Sequence, residues 1–295
     1  MRALIAIPHF FRADGDRHRH DSGRPGARAA RARALGRTIA RLHELFGPRH
    51  YVARHQVQGL TAEANPFAID LDIAVVTVAD HHLLGELGDA ARLARHVQVD
   101  GDPRLLGFHC HRLLADQAGR HDWYGFLEDD ILIEDPLFFL KLAYFNRHFP
   151  QRDMPPPLLL PQRYETPDDV EGATLGPERF YPDFQLSSTP LAPGPTIAVP
   201  LFDQIFHLEP CYHPHAGCFF LDGTQLETVA RSPLFGNPSE VWVTPLDTAA
   251  TLAVWRTFTI YKPALRSCSL LEVRHQRPIM LGQVRPREDG TLTWR

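Results

Sequence analysis

Trp123 to Phe139 reads WYGFLEDDILIEDPLFF. An aromatic and apolar run (Trp123, Tyr124, Phe126, Leu127) stops at three consecutive acids, Glu128, Asp129 and Asp130. A short apolar run of this kind reads as a buried strand, so the carboxylates stand at its carboxyl edge. In open α/β sheets that edge is where ligands bind. Three adjacent acids repel one another unless a cation lies among them, and hard divalent metals favour such oxygen ligands. The stretch therefore points to a metal that also touches phosphate oxygens, with a solvated acidic turn as the plain alternative. Pro136 stands where a first-turn proline would open the next helix.

Upstream, strands and helices alternate. Ala3 to Ile7 is an apolar strand stopped by Pro8, and residues 13 to 26 read as a charged, glycine-bearing mobile loop. Ala27 to Phe46 has helical composition, with Leu35, Ile39, Leu42, Leu45 and Phe46 on one face, and Gly47-Pro48 ends it. Arginines are frequent from Arg12 to Arg41; a solvated helix face explains most of them, and a phosphate-facing loop is the alternative. Tyr51 to Val57 alternates weakly as a strand, and Ile69 to Val78 is strongly β-branched, with Asp80, His81 and His82 at its carboxyl end. Leu83 to Ala94 predicts a helix, His96 to Val99 a strand, and Leu105 to Gln117 another helix. This alternation predicts an α/β fold with a mostly parallel, Rossmann-like sheet flanked by helices. There is no GxGxxG after the first strand and no GxxxxGK[ST], so neither a dinucleotide fold nor a P-loop ATPase is supported.

Downstream the composition shifts. Fourteen of the 26 prolines fall between Pro150 and Pro214, which predicts a long ordered loop or insertion containing one strand, Leu158 to Leu160, that continues the sheet. The acids Asp168, Asp169 and Glu171 lie within it. His215 to Leu221 then reads as a strand entered through Gly217, followed by a helix capped by Asp222 or Thr224. Gly217 serves either close approach of a ligand to backbone or plain packing. Asp247 opens a helical stretch and is either its N-cap or a catalytic carboxylate. Phe258 to Tyr261 and Leu270 to Val273 are late strands, and the tail from Pro286 is peripheral.

The 295 residues suit a single domain, divided here into a first half (1–150), the Pro-rich insertion (151–214) and a last part (215–295). With 44% hydrophobic and 22% charged residues the composition is that of a soluble globular protein. A net charge of -4 gives no general pull toward nucleic acid or an anionic membrane. The four cysteines form no CxxC pair, and reduced thiols in a cytoplasm fit them best. No run is long enough to span a bilayer; the reading is a cytoplasmic protein, compatible with a peripheral seat on the inner membrane.

In their order, these parts resemble glycosyltransferases of the GT-A fold, which use nucleotide-sugar donors and a divalent metal. The family's acidic motif is similar to Glu128-Asp129-Asp130, in the EDD form of inverting N-acetylglucosaminyltransferases, with the proline and paired Phe138-Phe139 behind it. The glycine loop resembles His215-Ala216-Gly217-Cys218, the base carboxylate matches Asp247, and the late histidine matches His275 in VRHQRP. The base position here has one acid, Leu246-Asp247, so Glu240 stays a rival, and ADHH is not the usual donor signature.

The resemblance implies Mn²⁺ or Mg²⁺ held by Asp130, with Glu128 and His275 as further ligands. It implies Pro8, Asp80, Arg112, Glu128, Asp129, Gly217 and Arg274 on the donor side. The implied partners are a nucleotide sugar, with a UDP-sugar expected, and a glycan or glycolipid acceptor. Two other readings remain: a metal-dependent hydrolase of a phosphoester or nucleotide sugar, using His109, His111 and His121, and a non-catalytic nucleotide-sugar-binding protein.

Overall fold

A computed structural model describes residues 1–12, 27–57, 59–61, 64–149, 155–167, 179–183, 194–211, 213–277, 279–286 and 292–294. The expected loop at 13–26, the acids Asp168, Asp169 and Glu171, and most of the tail lie outside the described residues. In chain order the elements are β1 (Arg2–Pro8), α1 (Ala27–Phe46), β2 (Val52–Arg54), β3 (Gly59–Thr61), β4 (Asp70–Val78), β5 (Arg95–Val99), α2 (Leu106–Asp116) and β6 (Trp123–Leu127). After the acids come β7 (Ile131–Leu132), α3 (Phe138–His148), β8 (Pro157–Leu159), β9 (Gln162–Tyr164), β10 (Ile197–Leu201) and β11 (Gln204–Pro210). The chain closes with β12 (Cys218–Asp222), α4 (Gly223–Ala230), α5 (Pro245–Thr257), β13 (Thr259–Pro263), β14 (Glu272–His275), β15 (Val284–Pro286) and β16 (Leu292–Trp294).

The chain divides into two compact units. Unit 1 comprises Met1–Asp129 and Cys218–Val254; unit 2 comprises Asp130–Gly217 and Trp255–Arg295.

Unit 1 is built on a five-stranded sheet in the order β12-β6-β1-β4-β5. The pairs β1–β4, β1–β6 and β4–β5 are parallel, and β12 runs antiparallel at the edge. The apolar runs dictate this. Ala3 to Ile7 and Trp123 to Leu127 are buried throughout, as strands covered on both faces must be. Each large side chain so buried contributes about 1.5–3 kcal/mol. The chain moves from β1 outward to β4 and β5, then returns to β6 on the other side of β1. Right-handed crossovers then place α1 and α2 on opposite faces. The reversal makes the crevice beyond the carboxyl ends of β1 and β6 the topological switch point.

α2 and α5 touch where Gly107 meets Ala249. A Cβ built on Gly107 would lie 2.4 Å from the Ala249 Cβ. Gly107→Val is therefore expected to destabilise the protein by about 1–3 kcal/mol, read as a lower midpoint in urea unfolding.

Unit 2 contains a four-stranded sheet, β10-β11-β13-β8, and a three-stranded one, β7-β14-β9. Here the sequence reading is corrected. Among its described residues the Pro-rich region carries four strands, not one, and β8 pairs in parallel with β13 instead of extending the sheet of unit 1. Prolines are tolerated because Pro157 begins β8 and Pro200 lies on the edge strand β10. Leu83 to Ala94 forms two short 3-10 helices, Leu84–Glu86 and Gly88–Leu93, because Gly88, at φ 57°, breaks the helix between them. Pro136 precedes α3 and is not inside its first turn. No helix among the described residues is long and apolar enough to cross a membrane.

Candidate functional site

The acids are handed to different partners. At the switch point of unit 1, His9 follows β1 and is completely buried. Its Nε2 accepts the Leu83 N–H at 3.1 Å, so Nδ1 carries the proton and donates to Asp129 Oδ2 at 2.5 Å. Arg31 of α1 donates to the same oxygen at 2.5 Å. Asp129, expected on the donor side, thus has its Oδ2 held by a histidine and a guanidinium. Among the arginines from Arg12 to Arg41, Arg31 at least is neither solvated face nor phosphate loop.

Glu128, one residue earlier, is buried and approaches Asp247, with an oxygen of each within 4.8 Å of the other. Asp247 lies in the first turn of α5. The Thr244 hydroxyl accepts the Asp247 N–H at 3.1 Å and donates to Asp247 Oδ2 at 2.5 Å. Thr244 therefore does the capping expected of Asp247, whose carboxylate is a held acceptor at a helix N-terminus. Just before it, Val243 has φ 60° and is 74% exposed, an unfavourable backbone for a β-branched residue. Glu240, the rival base, is exposed in the preceding turn.

The position of α5 is set by His111 of α2. Its Nδ1 accepts the Gly236 N–H at 3.0 Å, and its Nε2–H donates to the Ala249 carbonyl at 2.8 Å. Burial pushes its pKa down to about 4, so it is a neutral structural residue. Arg112, expected on the donor side, instead donates to the Gly236 carbonyl at 3.0 Å. His121 precedes β6 at the amino edge of the sheet and faces Asp72 at 3.7 Å, the opposite edge from the acids. Of the three histidines named for a hydrolase, His111 thus bonds backbone between α2 and α5 and His121 lies at the far edge of the sheet. Pro8 is the last residue of β1, and Asp80 is exposed just beyond β4.

In unit 2, Asp130 and His275 come together. β7 and β14 pair Ile131 with His275, and the Gln276 N–H donates to the Asp130 carbonyl at 2.9 Å. His275 Nε2 lies 3.6 Å from Asp130 Oδ2. On its other side Nδ1 donates to Glu165 Oε1 at 2.9 Å, and Glu165 Oε2 accepts the Leu281 N–H at 2.6 Å. Burial opposes charge on His275, but Asp130 and Glu165 outweigh it and raise its pKa to about 9. A carboxylate on one ring nitrogen fixes the tautomer that offers the other to a metal. The fold thus brings together one carboxylate and one imidazole of the expected metal-ligand set.

The raised pKa has a measurable consequence. Unfolded, His275 returns to about 6.5. Its charged pairing then stabilises the metal-free protein fully below pH 6.5, and that contribution, of the order of 3 kcal/mol, is lost as pH rises through about 9. Chelator-treated protein is expected to melt lower at pH 9.5 than at pH 6.5, and His275→Gln to shrink the difference.

Around this pair, Arg274 faces Glu134 at 3.8 Å, and the Tyr164 hydroxyl also donates to Glu134. Arg163 holds Asp183 through two bonds, at 2.6 and 3.0 Å, and buried Lys262 donates to the His215 carbonyl at 2.6 Å. Gly217 has φ 67°, so its role is the left-handed backbone that leads into β12.

Sequence reasoning missed His9, Arg31 and Glu165. His9 and Asp129 are 120 residues apart and Glu165 and His275 110, so no local spacing announces either pair. No protein-family model and no curated protein sequence matches this chain.

Proposed function

We propose that the chain is a divalent-metal-dependent glycosyltransferase of the GT-A type. It moves a sugar from a nucleotide diphosphate sugar, with a UDP-sugar the expected donor, to a hydroxyl of a glycan or glycolipid, inverting the anomeric centre. The observation that carries this reading is His275, which faces Asp130 at 3.6 Å and is backed by Glu165. Asp130 and His275 would hold Mn²⁺ or Mg²⁺, which supplies a Lewis acid for the charge growing on the leaving diphosphate. The switch point beyond β1 and β6 supports the same reading, because open α/β sheets bind nucleotides there.

Asp247 is the candidate base. It takes the acceptor hydroxyl's proton as that oxygen bonds to the anomeric carbon and the bond to diphosphate breaks. Thr244 orients its carboxylate, whereas Glu240 has an exposed position. Arg274, beside Glu134, is a candidate phosphate contact.

The test is product analysis with UDP-sugars, Mn²⁺ and a panel of glycan and lipid-linked acceptors. An acceptor-dependent glycoside of inverted configuration is the expected product. Free sugar released at the same rate without acceptor would replace this reading with a hydrolase.

A further inference from the structure

The β10–β11 hairpin of unit 2 has an anomalous tip. Its two-residue loop, Phe202-Asp203, follows the paired Leu201 and Gln204, and both loop residues have positive φ, 53° and 55°. Such turns select glycine, asparagine or aspartate, because a Cβ crowds the backbone in this region. Asp203 fits this preference and Phe202 does not. The ring of Phe202 gains nothing from burial either, since the residue is 67% exposed. A strained bulky residue left largely exposed is an outlier to explain by function.

Its neighbours extend the pattern. Pro200 faces Ile205 across the hairpin and Ala198 faces His207, so these four share one face, and all are exposed. Leu265, 71% exposed, follows Ala264, whose N–H donates to the His207 carbonyl at 2.8 Å. β10 is the edge strand, and Pro200 removes an edge donor, which disfavours pairing with another strand. The occupant of this face accepts side chains, not backbone.

Cations border it. Tyr144 of α3 donates its hydroxyl to the Pro200 carbonyl at 3.3 Å, and His148 stacks on Tyr144 with ring centres 4.0 Å apart. Exposed Arg147 adjoins them, and exposed Arg266 follows Leu265. Asp203 is the exposed acid of the hairpin, with Glu209 half-buried further along. Apolar tips flanked by arginine match the boundary between acyl chains and anionic headgroups.

We propose that this hairpin seats unit 2 on an anionic lipid surface, with Phe202, Ile205 and Leu265 entering the acyl boundary and Arg147 and Arg266 meeting lipid phosphates. The proposal does not depend on the transferase reading. The experiment is flotation of the full chain with phosphatidylcholine vesicles, with and without phosphatidylglycerol. It is repeated for the double variant Phe202→Asn, Asp203→Gly, which suits the turn, and for Ile205→Ser.

The wild type is expected to float with phosphatidylglycerol vesicles and much less with phosphatidylcholine alone. The double variant is expected to lose about tenfold or more in vesicle affinity while melting at the same or a higher temperature, which separates binding from folding. Equal flotation of wild type and variants, or none with either vesicle, overturns the proposal. So does a wild-type dimer that the double variant converts to monomer, because the face would then belong to a second copy.

Discussion

Asp130→Asn is expected to reduce sugar transfer by on the order of 10³-fold, the several kcal/mol that a bound Lewis acid contributes to a leaving diphosphate. The substitution keeps side-chain size and removes charge. It leaves intact the backbone bond in which the Asp130 carbonyl accepts the Gln276 N–H, so β7 and β14 should stay paired. His275 loses one of its two supporting charges by the same change, and both candidate ligands are weakened at once. Added Mn²⁺ at high concentration should restore part of the rate if the loss lies in metal affinity. Steady-state rates across a Mn²⁺ series check this, with a melting curve to show that the variant is folded.

Asp247→Asn is expected to lower kcat by about 10²–10⁴-fold, the usual range for a positioned general base. Mn²⁺ and nucleotide binding should be unchanged, since the base acts on the acceptor and not on the diphosphate. The variant should fold normally, because the Thr244 hydroxyl still accepts the backbone N–H of residue 247 and His111 still anchors α5 through the Ala249 carbonyl. A kcat close to wild type would remove Asp247 as base and with it the argument for inversion.

Much of unit 1 was legible in the sequence, because each of its elements declares itself locally. Ala3 to Ile7, Ile69 to Val78 and Trp123 to Leu127 are apolar runs that fill strands within a residue or two, and Ala27 to Phe46 forms the expected helix with the same bounds. Asp222 caps α4 through a reciprocal bond with Gln225, a signal written three residues apart. Unit 2 was less legible. Prolines masked β9, β10 and β11, three- to seven-residue strands stabilised by pairing with distant partners such as β13 and β14, which local composition cannot reveal. The candidate site divides the same way. The EDD turn announced itself through the contrast between apolar strand and acid. Which acid is spent on structure depended on contacts from afar, with His9 and Arg31 taking Asp129 and Glu165 turning toward His275.

The most direct test of the central claim is a Mn²⁺ titration of the full chain at pH 7.5, followed by the electron paramagnetic resonance signal of free Mn²⁺. It is run with and without UDP or GDP, on wild type and on Asp130→Asn. The cation should replace the proton on His275, whose pKa is raised to about 9. Saturable binding is therefore predicted, with proton release in unbuffered solution, tightening with one of the nucleotides. The same signal should be weak or lost in the variant. Mn²⁺ that stays free under every condition, or binds equally well without the Asp130 carboxylate, would contradict the assignment of Asp130 and His275 as the metal-holding pair.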